Sequence, residues 1–592
     1  MRKVLAVLVA ALALPALAQM TSDQRLTDFQ SLTSLFSKRY GPANWKIEAL
    51  GVNIFDVKPW ADRVRAADND LEYYQICAEF VASLQDGHSS FRTPSNFSAD
   101  LGLFTDLYEG KVLIESINRT LYPVARFPFV IGDELISIGG RPVEEILTEL
   151  TKQRGFGNER GRRRIAADAL VFRSQVFYPK TVDLPDETDV VINRAATSEM
   201  ETYTLKWVKT GVPLRQVSPV PTPFYGVTAP PATNATSIEA DYQKALHESK
   251  NWAIDPLDFD LRESRLQIDD SGELISRNFI LGWGSRAPYY NLPTGFQVRR
   301  GAVASDNFFT GTYQSGGKRI GWIRIPHFGP ASTFLAVSEF NAEVAFMKAN
   351  TDALVVDVSR NTGGGCVGFD YAQRLIPREF YFFGEYLRPT QSLINNFESI
   401  VRQAKQFGAE PWVIDTWEYH LKAIQDAAKE NRAMTGILPS CFEQLSPTFP
   451  APSLQNPPMR DASGQLVAYD KPIVFLADEL SVSFGDIFPA MMQDNRRGPI
   501  VGVRTGGLGG SISQWSTGSY SESSSTVTNS LVVRNGPVSV AGLPTAPLIE
   551  NLGVQPDIPL DYMTRDNLMT RGLGFIQSVT QIVLDEIAKA GN

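Results

Sequence analysis

The chain has 592 residues, 43% of them hydrophobic and 20% charged, which is the ordinary balance of a soluble globular protein. At this length we expect roughly three or four domains, since a domain averages about 150 residues. A net charge of −9 gives no sign of the basic face that nucleic-acid-binding proteins carry, so we expect no nucleic-acid partner. The four histidines are scattered and no Cys–His spacing typical of zinc occurs, so we predict neither a metal nor a cofactor.

The N-terminus has the three parts of a secretory signal peptide. Arg2 and Lys3 precede an apolar run from Val4 to Ala18, which ends in an Ala-Leu-Ala cleavage site before Gln19. A short buried or anchoring helix is the alternative interpretation. No other run is long and apolar enough to span a membrane. We therefore predict that residues 1–18 are a signal peptide and that the mature protein is secreted, in the periplasm or outside the cell.

Two regions are predicted in the first third of the mature chain. Residues 19–98 form a helical region, because apolar residues recur at helical spacing between Thr27 and Leu84, and a polar turn that contains His88 follows. Residues 99–212 are rich in strand patterns. Between Ile131 and Val143 a Gly-Asp turn, a strand and a Gly-Gly hairpin follow one another. This order resembles the carboxylate-proximal part of a PDZ domain, so the region is predicted to be PDZ-like.

The rest of the chain divides at about residue 317. Six prolines between Pro213 and Pro231 exclude a regular helix or strand ladder there, so residues 213–316 are interpreted as a proline-rich linker or arm without an assigned fold. From 317 to 592 strands alternate with helices, which predicts a layered α/β domain. Strands are predicted at 320–325, 353–358, 472–477 and 498–505, and helices at 334–349 and 572–590.

Ser483 stands at a tight turn between an apolar strand pattern and a helix pattern. A serine in such a turn is held out of the sheet, and the N–H groups at the start of the helix gather around it. This arrangement suits a nucleophile with an oxyanion hole, in which the N–H of Phe484 would be one donor. A helix N-cap is the alternative role, and serine often fills it.

The chain also offers partners for this serine. A serine hydroxyl needs an adjacent base, and His88 is the best candidate because the ordinary pKa of histidine lies near neutrality. Gly363 and Gly364 follow a buried strand and can expose a second N–H donor. Glu550 is a candidate to orient the far ring nitrogen of His88. The alternatives are a histidine that only satisfies hydrogen bonds in its turn, a plain glycine turn, and a solvated surface carboxylate.

Five motifs stand in one order along the chain. They are Asp-Gly-His-Ser (86–89), Gly-Asp-Glu-Leu-Ile-Ser-Ile-Gly-Gly (132–140), Val-Asp-Val-Ser-Arg-Asn-Thr-Gly-Gly-Gly (356–365), Ser-Phe-Gly-Asp (483–486) and Gly-Val-Gln-Pro-Asp (553–557). Together they resemble the C-terminal processing and tricorn-type serine peptidases, with most similarity to the chlamydial branch. The similarity begins at Tyr-Gly-Pro-Ala-Asn-Trp-Lys (40–46) and extends to about Asp557, which is nearly the whole mature chain.

The resemblance implies an α/β fold class: a crotonase-like or ClpP-like ββα catalytic core at 317–592, with a helical N-terminal region and a PDZ-like β-rich domain. It implies a Ser-His-Glu triad of Ser483, His88 and Glu550, and an oxyanion hole made by the N–H of Phe484 with that of Gly363 or Gly364. It also implies a homodimer and an activation segment within 213–316 that self-cleavage removes.

One departure from the family bears on the base. Peptidases of the Ser-Lys branch carry a lysine about 25 residues after the serine, and this chain has Leu508 there. Because leucine cannot take a proton, a lysine-base mechanism is excluded. His88 then becomes necessary for catalysis.

We therefore predict a secreted serine endopeptidase that hydrolyses peptide bonds in protein or peptide substrates. The alternatives are a non-catalytic ligand- or peptide-binding protein on the same scaffold, and a structural PDZ scaffold that docks protein C-termini. Fold alone does not separate these hypotheses, and the retained serine, histidine and glycine turn favour the enzyme. In an oxidising compartment Cys77, Cys366 and Cys441 allow one disulfide and leave one thiol, with the pairing open.

Overall fold

A computed structural model of the protein describes residues 19–217, 267–268, 274–276, 280, 282–303, 305–441, 448–449 and 451–591. The predicted signal peptide and most of the predicted linker lie outside these residues. Within the described ranges, no helix combines the length and the apolar character needed to cross a membrane.

Four helices begin the described chain, as the apolar spacing predicts: α1 Ser22–Arg39, α2 Ala43–Leu50, α3 Lys58–Ala66 and α4 Asp70–Ala82. α1 starts with a capping box in which Thr21 and Gln24 exchange side-chain hydrogen bonds. The apolar faces of the helices form one cluster, in which Phe29 and Phe80 meet edge to face. After α4, strand β1 (Ser90–Arg92) pairs antiparallel with the distant strand Ser524–Thr528. This pairing attaches the early chain to the late chain.

The next region is the predicted β-rich domain. Its elements are β2 Ser98–Asp100, β3 Leu103–Tyr108, β4 Lys111–Ile117, β5 Glu134–Ile138, β6 Arg141–Pro142, α5 Val143–Leu150, α6 Glu159–Ala169, β7 Phe172–Ser174, a 3-10 helix Pro179–Asp183, β8 Glu187–Asn193, β9 Met200–Lys206 and β10 Val208–Thr210. The main sheet has the order β3-β4-β5-β8-β9, with β6 on β5. Gly139 and Gly140 both have positive φ and form the predicted hairpin between β5 and β6.

The α/β region follows a short hairpin of β11 (Gln267–Ile268) and β12 (Leu274–Ser276). Its elements are β13 Gln297–Arg300, β14 Phe309–Ser315, β15 Lys318–Arg324, α7 Thr333–Asn350, β16 Ala353–Asp357, α8 Val367–Gln373, β17 Phe380–Tyr381, β18 Gly384–Leu387, α9 Gln391–Phe407, α10 Pro411–Lys429, β19 Leu438–Pro439, β20 Gln455–Asn456, β21 Ile473–Ala477, α11 Phe484–Asp494, β22 Ile500–Gly502, β23 Ile512–Ser516, β24 Ser524–Thr528, β25 Ser530–Val538, β26 Ala546–Leu548, β27 Ile558–Pro559, α12 Arg565–Thr570 and α13 Leu573–Ala590.

A seven-stranded sheet forms the centre of this region, in the order β13-β14-β15-β16-β21-β22-β27. The strands from β15 to β27 are parallel, and every residue of β16 and β21 is buried. Alternate residues of β21 face opposite sides: Phe475 packs with α7, α8 and α11, whereas Val474 packs with α13. The sheet is therefore covered on both faces, as uniformly apolar strands indicate.

Two smaller features complete the region. A second sheet has the order β19-β18-β25-β26, and the antiparallel pair α9 and α10 packs beside it through a cluster that contains Phe397 and Trp417. A disulfide joins Cys366, just before α8, to Cys441, and Cys77 is a buried free thiol. The bridge leaves one thiol, as the count of three cysteines requires.

Buried ion pairs attach the PDZ-like domain to the α/β region. The Arg164 guanidinium of α6 lies 2.6 Å from Asp106 in its own domain and 3.2 Å from Glu479, which stands four residues before Ser483. Arg160 also contacts Glu479, over 2.6 Å. Both guanidiniums therefore hold the turn that follows β21 through Glu479. The PDZ-like domain therefore supports the neighbourhood of Ser483 directly.

Candidate active site

Three loops meet at the carboxyl ends of the parallel strands. One follows β16 and contains the 361–365 turn, one follows β21 and ends at Ser483, and one follows β22 and contains the 506–510 loop. In open α/β sheets the crevice outside these strand ends is the usual ligand site. The fold therefore places the predicted serine, the predicted glycines and a glycine-rich loop at one edge.

Ser483 immediately precedes α11 and has φ 59° and ψ −121°, a conformation that is strained for a residue with a side chain. The turn is held from behind, since the Val482 N–H donates to Asn361 O over 3.0 Å and Ser481 Oγ donates to Val358 O over 2.8 Å. A strained strand-to-helix turn of this kind presents a nucleophilic Oγ. The Ser483 side chain makes no cap hydrogen bond, so the alternative N-cap role is not observed.

The 361–365 turn packs directly on this serine. A Cβ added to Gly363 would lie 2.5 Å from Ser483 Cβ and 3.1 Å from its Oγ, so only glycine fits there. The Gly363 N–H donates to Asn361 Oδ1 over 2.7 Å. The N–H groups of Gly364 and Phe484, by contrast, have no hydrogen-bond acceptor among the described residues. Of the predicted oxyanion donors, Phe484 and Gly364 are therefore available.

His88 lies in a turn that an aspartate fixes. Asp86 accepts from the His88 N–H over 2.8 Å, from Ser89 Oγ over 2.9 Å and from Thr528 Oγ1 over 2.7 Å. These bonds tie the turn to β24. His88 is 1% exposed, and neither ring nitrogen has a hydrogen-bond partner within the described chain. Burial lowers the pKa of the ring to about 4, although the Asp86 charge opposes this shift.

Leu508 packs against the neighbours of both His88 and Ser483. The Leu508 side chain contacts Gly87, where an added Cβ would lie 2.3 Å from Cδ2, and it shares a buried cluster with Val482. The Ser483 Oγ has no hydrogen-bond partner in the described ranges, so it makes no direct bond to the imidazole. Sequence reasoning identified Leu508 only as a missing lysine, whereas the structure shows it in contact with Gly87, beside His88, and in one cluster with Val482, beside Ser483.

Glu550 is buried near the turn that carries His88, but it does not bind the His88 ring in the structure. Its Oε1 accepts from Lys46 Nζ over 2.5 Å, and its Oε2 accepts from the Gly509 N–H over 3.1 Å. Burial raises the pKa of Glu550 to about 8, and Lys46 opposes this rise. The predicted bond from Glu550 to the far ring nitrogen is absent here because the carboxylate is already occupied by a lysine and a backbone N–H.

The 506–510 loop connects these groups. Asp486 of α11 accepts from the N–H of Gly507 over 2.8 Å and from that of Leu508 over 3.1 Å, while Glu550 accepts from Gly509. Burial raises the pKa of Asp486 to about 7. Asp86, Asp486 and Lys46 were not singled out from the sequence, although each stands inside a motif that carried the resemblance. In the part of the chain that is described, no group of three or more His, Cys, Asp or Glu could hold a metal ion.

A cleft opens beside His88. Phe156 and Ile165 from the PDZ-like domain line it, together with Ile512 from β23 and Trp283 from the 213–316 segment. The Trp283 indole N–H donates to Leu480 O over 2.9 Å, which fixes this ring against the turn of Ser483. The cleft therefore has a mixed lining, in which these four apolar side chains face polar ones that include the imidazole.

Comparisons with known proteins agree with this geometry. Residues 319–560 match the sequence profile of peptidase family S41, and residues 99–212 match that of the PDZ domain. A Chlamydia muridarum (strain MoPn / Nigg) protein is 24% identical over 618 residues, which cover 94% of this chain and 92% of the relative. A Chlamydia trachomatis serovar D protein is 24% identical over 615 residues, with coverages of 96% and 93%. The crystal structure of mature CPAF has a TM-score of 0.70 at 20% identity, covers 96% of this chain and 99% of its own, and shows the shared fold.

The parallel sheet, the strained serine turn and the matched domain define a serine-type peptidase. Protein or peptide substrates follow from that class. The chain carries a peptidase family S41 domain, with a PDZ domain before it, and the predicted α/β fold class is confirmed.

Proposed function

We propose that the protein is an endopeptidase in which Ser483 is the nucleophile, His88 the general base and Glu550 the acid behind the base. The N–H groups of Phe484 and Gly364 form the oxyanion hole in this proposal. The strained turn of Ser483, packed against Gly363, is the observation that carries it, because a strained serine between a strand and a helix is typical of a nucleophile.

The chemistry follows from the protonation state of His88. A ring whose pKa is lowered to about 4 is neutral at pH 7, so it can take the Ser483 proton while Oγ attacks the substrate carbonyl carbon. The negative charge that develops on the carbonyl oxygen is stabilised by the two backbone donors. His88 then protonates the leaving amine as the peptide bond breaks, and a water that His88 activates hydrolyses the acyl-enzyme.

Catalysis requires the imidazole to come within hydrogen-bond reach of the Ser483 Oγ. Catalytic hydrogen bonds are often long in free enzymes and tighten when substrate binds. We propose that the Leu508 side chain, which contacts Gly87 beside His88, moves in this step, and the glycines on both sides of it give the 506–510 loop the necessary backbone freedom.

The described end of the 213–316 segment supports a role for this segment in controlling the site. Ile280 and Trp283 are buried in one cluster with Val482 and Leu508, so they support the 506–510 loop in its present arrangement. The solved relative is described as mature. We extend maturation to this chain and propose that self-cleavage within 213–316 releases the loop.

Purified wild-type protein should therefore convert with time to two fragments, while Ser483→Ala stays intact. Denaturing gels and intact-mass spectrometry would follow the conversion. Cleavage of Ser483→Ala at the wild-type rate would assign the cut to another peptidase. Full acylation of an uncleaved wild-type chain would contradict the controlling role of the segment.

We propose that the protein is located outside the reducing cytosol, because its N-terminus has the pattern of a signal peptide. The disulfide between Cys366 and Cys441 supports it, because disulfides persist mainly in oxidising compartments. N-terminal sequencing of protein from a cell-free culture supernatant or a periplasmic extract should start at Gln19. Recovery of the chain from the cytosol with Met1 in place would reject this location.

The resemblance also leads us to propose a homodimer. Phe334 and Leu335 at the start of α7 are 81% and 57% exposed, and a partner subunit would give such side chains an apolar surface to cover them. Light scattering on purified protein should give twice the chain mass, and a monomer at micromolar concentration would reject the dimer.

Labelling with a fluorophosphonate probe tests the enzyme against a non-catalytic binding protein. We expect the probe to label the wild type at Ser483, to miss Ser483→Ala, and to label Ser578→Ala, an exposed serine of α13 that serves as the matched control. CPAF is described in complex with lactacystin, so lactacystin should block the labelling here. A folded, mature wild type that stays unlabelled would favour the binding protein.

A further inference from the structure

Behind the candidate triad lies a buried amine that the proposed chemistry does not use. Lys46 of α2 has no exposed surface, and its Nζ donates to Glu550 Oε1 over 2.5 Å, to Asn551 Oδ1 over 2.6 Å and to Gln85 O over 3.3 Å. Three acceptors match the three N–H bonds of an ammonium group. Burying a charge is costly unless it is paired in this way, so the surroundings are built to hold an ammonium at this point.

The acceptors of Lys46 belong to the two turns that carry the acid and the base. Gln85 stands three residues before His88, and Asn551 is next to Glu550. The Asn551 side chain reinforces the connection, since its Nδ2 donates to Gln85 O over 2.9 Å and its Oδ1 also accepts from Trp45 Nε1 over 3.1 Å. One residue pair of α2 therefore joins both turns.

We propose that Lys46 is a positioning residue of the triad, which holds the Glu550 carboxylate and the turn of His88 in one arrangement. This inference rests on the proposed function, because it assigns Lys46 to an acid and a base that act together. Lys46 touches neither substrate nor the reacting atoms, and it acts only through Glu550 and the His88 turn.

The electrostatics of the cluster agree with this role. Burial and the neighbouring Asp86 both raise the pKa of Glu550, and Lys46 is the cationic group that opposes them. Lys46 therefore favours the ionised carboxylate, which is the form that accepts the stronger hydrogen bond from an imidazole N–H. Lys46 also lowers the pKa of His88, while Asp86 in the same turn raises it.

The charged and titratable groups that face His88 come from several elements. Asp86 lies in its own turn, Lys46 on α2, Glu550 beyond Lys46, and Arg154 in the wall of the cleft. Tyr40 lies beside Asp86 and Glu550, and burial keeps its pKa well above the ordinary value, so it stays neutral. Removing the cation of Lys46 should therefore raise the pKa of His88 in the free enzyme.

A double-mutant cycle tests the inference. The variants are Lys46→Met, Lys46→Arg, Glu550→Gln and the double Lys46→Met/Glu550→Gln, with Lys58→Met as the matched control because the Lys58 side chain is 82% exposed. The measurements are the acylation rate with the fluorophosphonate probe, and kcat and KM on a peptide substrate between about pH 4 and 9. Circular dichroism establishes that each variant is folded.

We expect Lys46→Met to acylate about 100-fold more slowly with little change in KM, and its acid limb to move to higher pH. Lys46→Arg should recover most of the rate, and Lys58→Met should equal the wild type. The double variant should be no slower than Glu550→Gln, because residues that act through one another are not additive. If Lys46→Met does not fold, the test uses the acylation rates of the double variant and of Glu550→Gln. The double variant removes both buried charges and so leaves neither one unpaired.

Two results would overturn the inference. The first is a folded Lys46→Met that acylates within about threefold of the wild type with an unmoved acid limb. The second is a double variant at least about tenfold slower than Glu550→Gln, since Lys46 would then act independently of the acid. Failure of the proposed function itself is distinct, because the wild type would then show no labelling that Ser483→Ala removes.

Discussion

Replacing His88 by alanine should lower kcat/KM by about 10⁴-fold or more, because no other base stands beside the Ser483 turn in the proposed mechanism. The control is His420→Gln. The His420 ring is buried in α10, between the carbonyl oxygens of Thr416 and Pro439, and has no part in the site. Steady-state kinetics on the folded fraction of each variant measures the difference. A His88→Ala enzyme within tenfold of the wild type would remove His88 from the mechanism.

The pH profile of the wild type provides a second measure of the same residue. Burial lowers the pKa of His88 to about 4, so the basic form of the ring persists well below neutrality. We expect kcat/KM to stay level as the pH falls from about 7 to about 5, and then to fall with an apparent pKa near 4. The folded ring binds fewer protons than the unfolded chain between pH 4 and about 6.5, so His88 also makes the fold less stable as the pH falls through that window. An acid limb near pH 6.5 would show that the ring is solvated before substrate binds.

The same His88 variant separates the enzyme from a PDZ scaffold. A protein that only docks C-terminal peptides would bind them equally well with and without the imidazole. Peptide affinity measured by fluorescence anisotropy, alongside hydrolysis of the same peptide, distinguishes the two hypotheses. Unchanged binding with no hydrolysis in either protein would favour the scaffold.

Gly363→Ala should lower kcat by about 10²-fold or more. The new methyl group would lie 2.5 Å from Ser483 Cβ and 2.8 Å from Val482 O, so either the serine or the Gly364 N–H must move. Loss of one oxyanion donor typically costs about 2.7–4 kcal/mol of transition-state stabilisation. The effect should fall on kcat, with KM changed much less.

The chain offers a matched control for this substitution. Gly542 has the same φ of 81° as Gly363, but an added Cβ would meet no atom within 4 Å. Gly542→Ala therefore carries similar backbone strain without the collision. Thermal unfolding should show comparable destabilisation from that strain, while only Gly363→Ala loses activity. Equal kcat in the two variants would mean that the 361–365 turn does not shape the site.

Much of the fold was predictable because it depends on local patterns. The fully apolar runs of β16 and β21 are typical of strands covered on both faces, and they lie where the sequence predicts them. α6 was missed, since its arginine-rich start with a glycine has no apolar period. α9 and α10 were also missed, although Leu393, Phe397, Ile400 and Ala404 do stand at helical spacing. The sequence of α6 therefore has no pattern that predicts a helix, whereas that of α9 has one that was not recognised.

The site was predictable only where a turn defines it. The Ser483 turn and the glycines that face it are fixed by adjacent strands, so motif order was enough to bring them together. The partner of Glu550 was not predictable, because a lysine of α2 reaches it through a tertiary contact that no spacing encodes. The burial of Leu508 likewise depends on side-chain packing across three regions.

The pairing of β1 with β24 has a consequence for synthesis of the chain. His88 lies just before the first of these strands and Ser483 lies before the second, so the two halves of the site leave the ribosome far apart in time. Under the proposed mechanism, an unfinished chain would have no complete active site. It could not cleave proteins of the cell that makes it until translation was nearly finished. The order of the two segments along the chain would thus delay assembly of the active site and protect the cell that synthesises it.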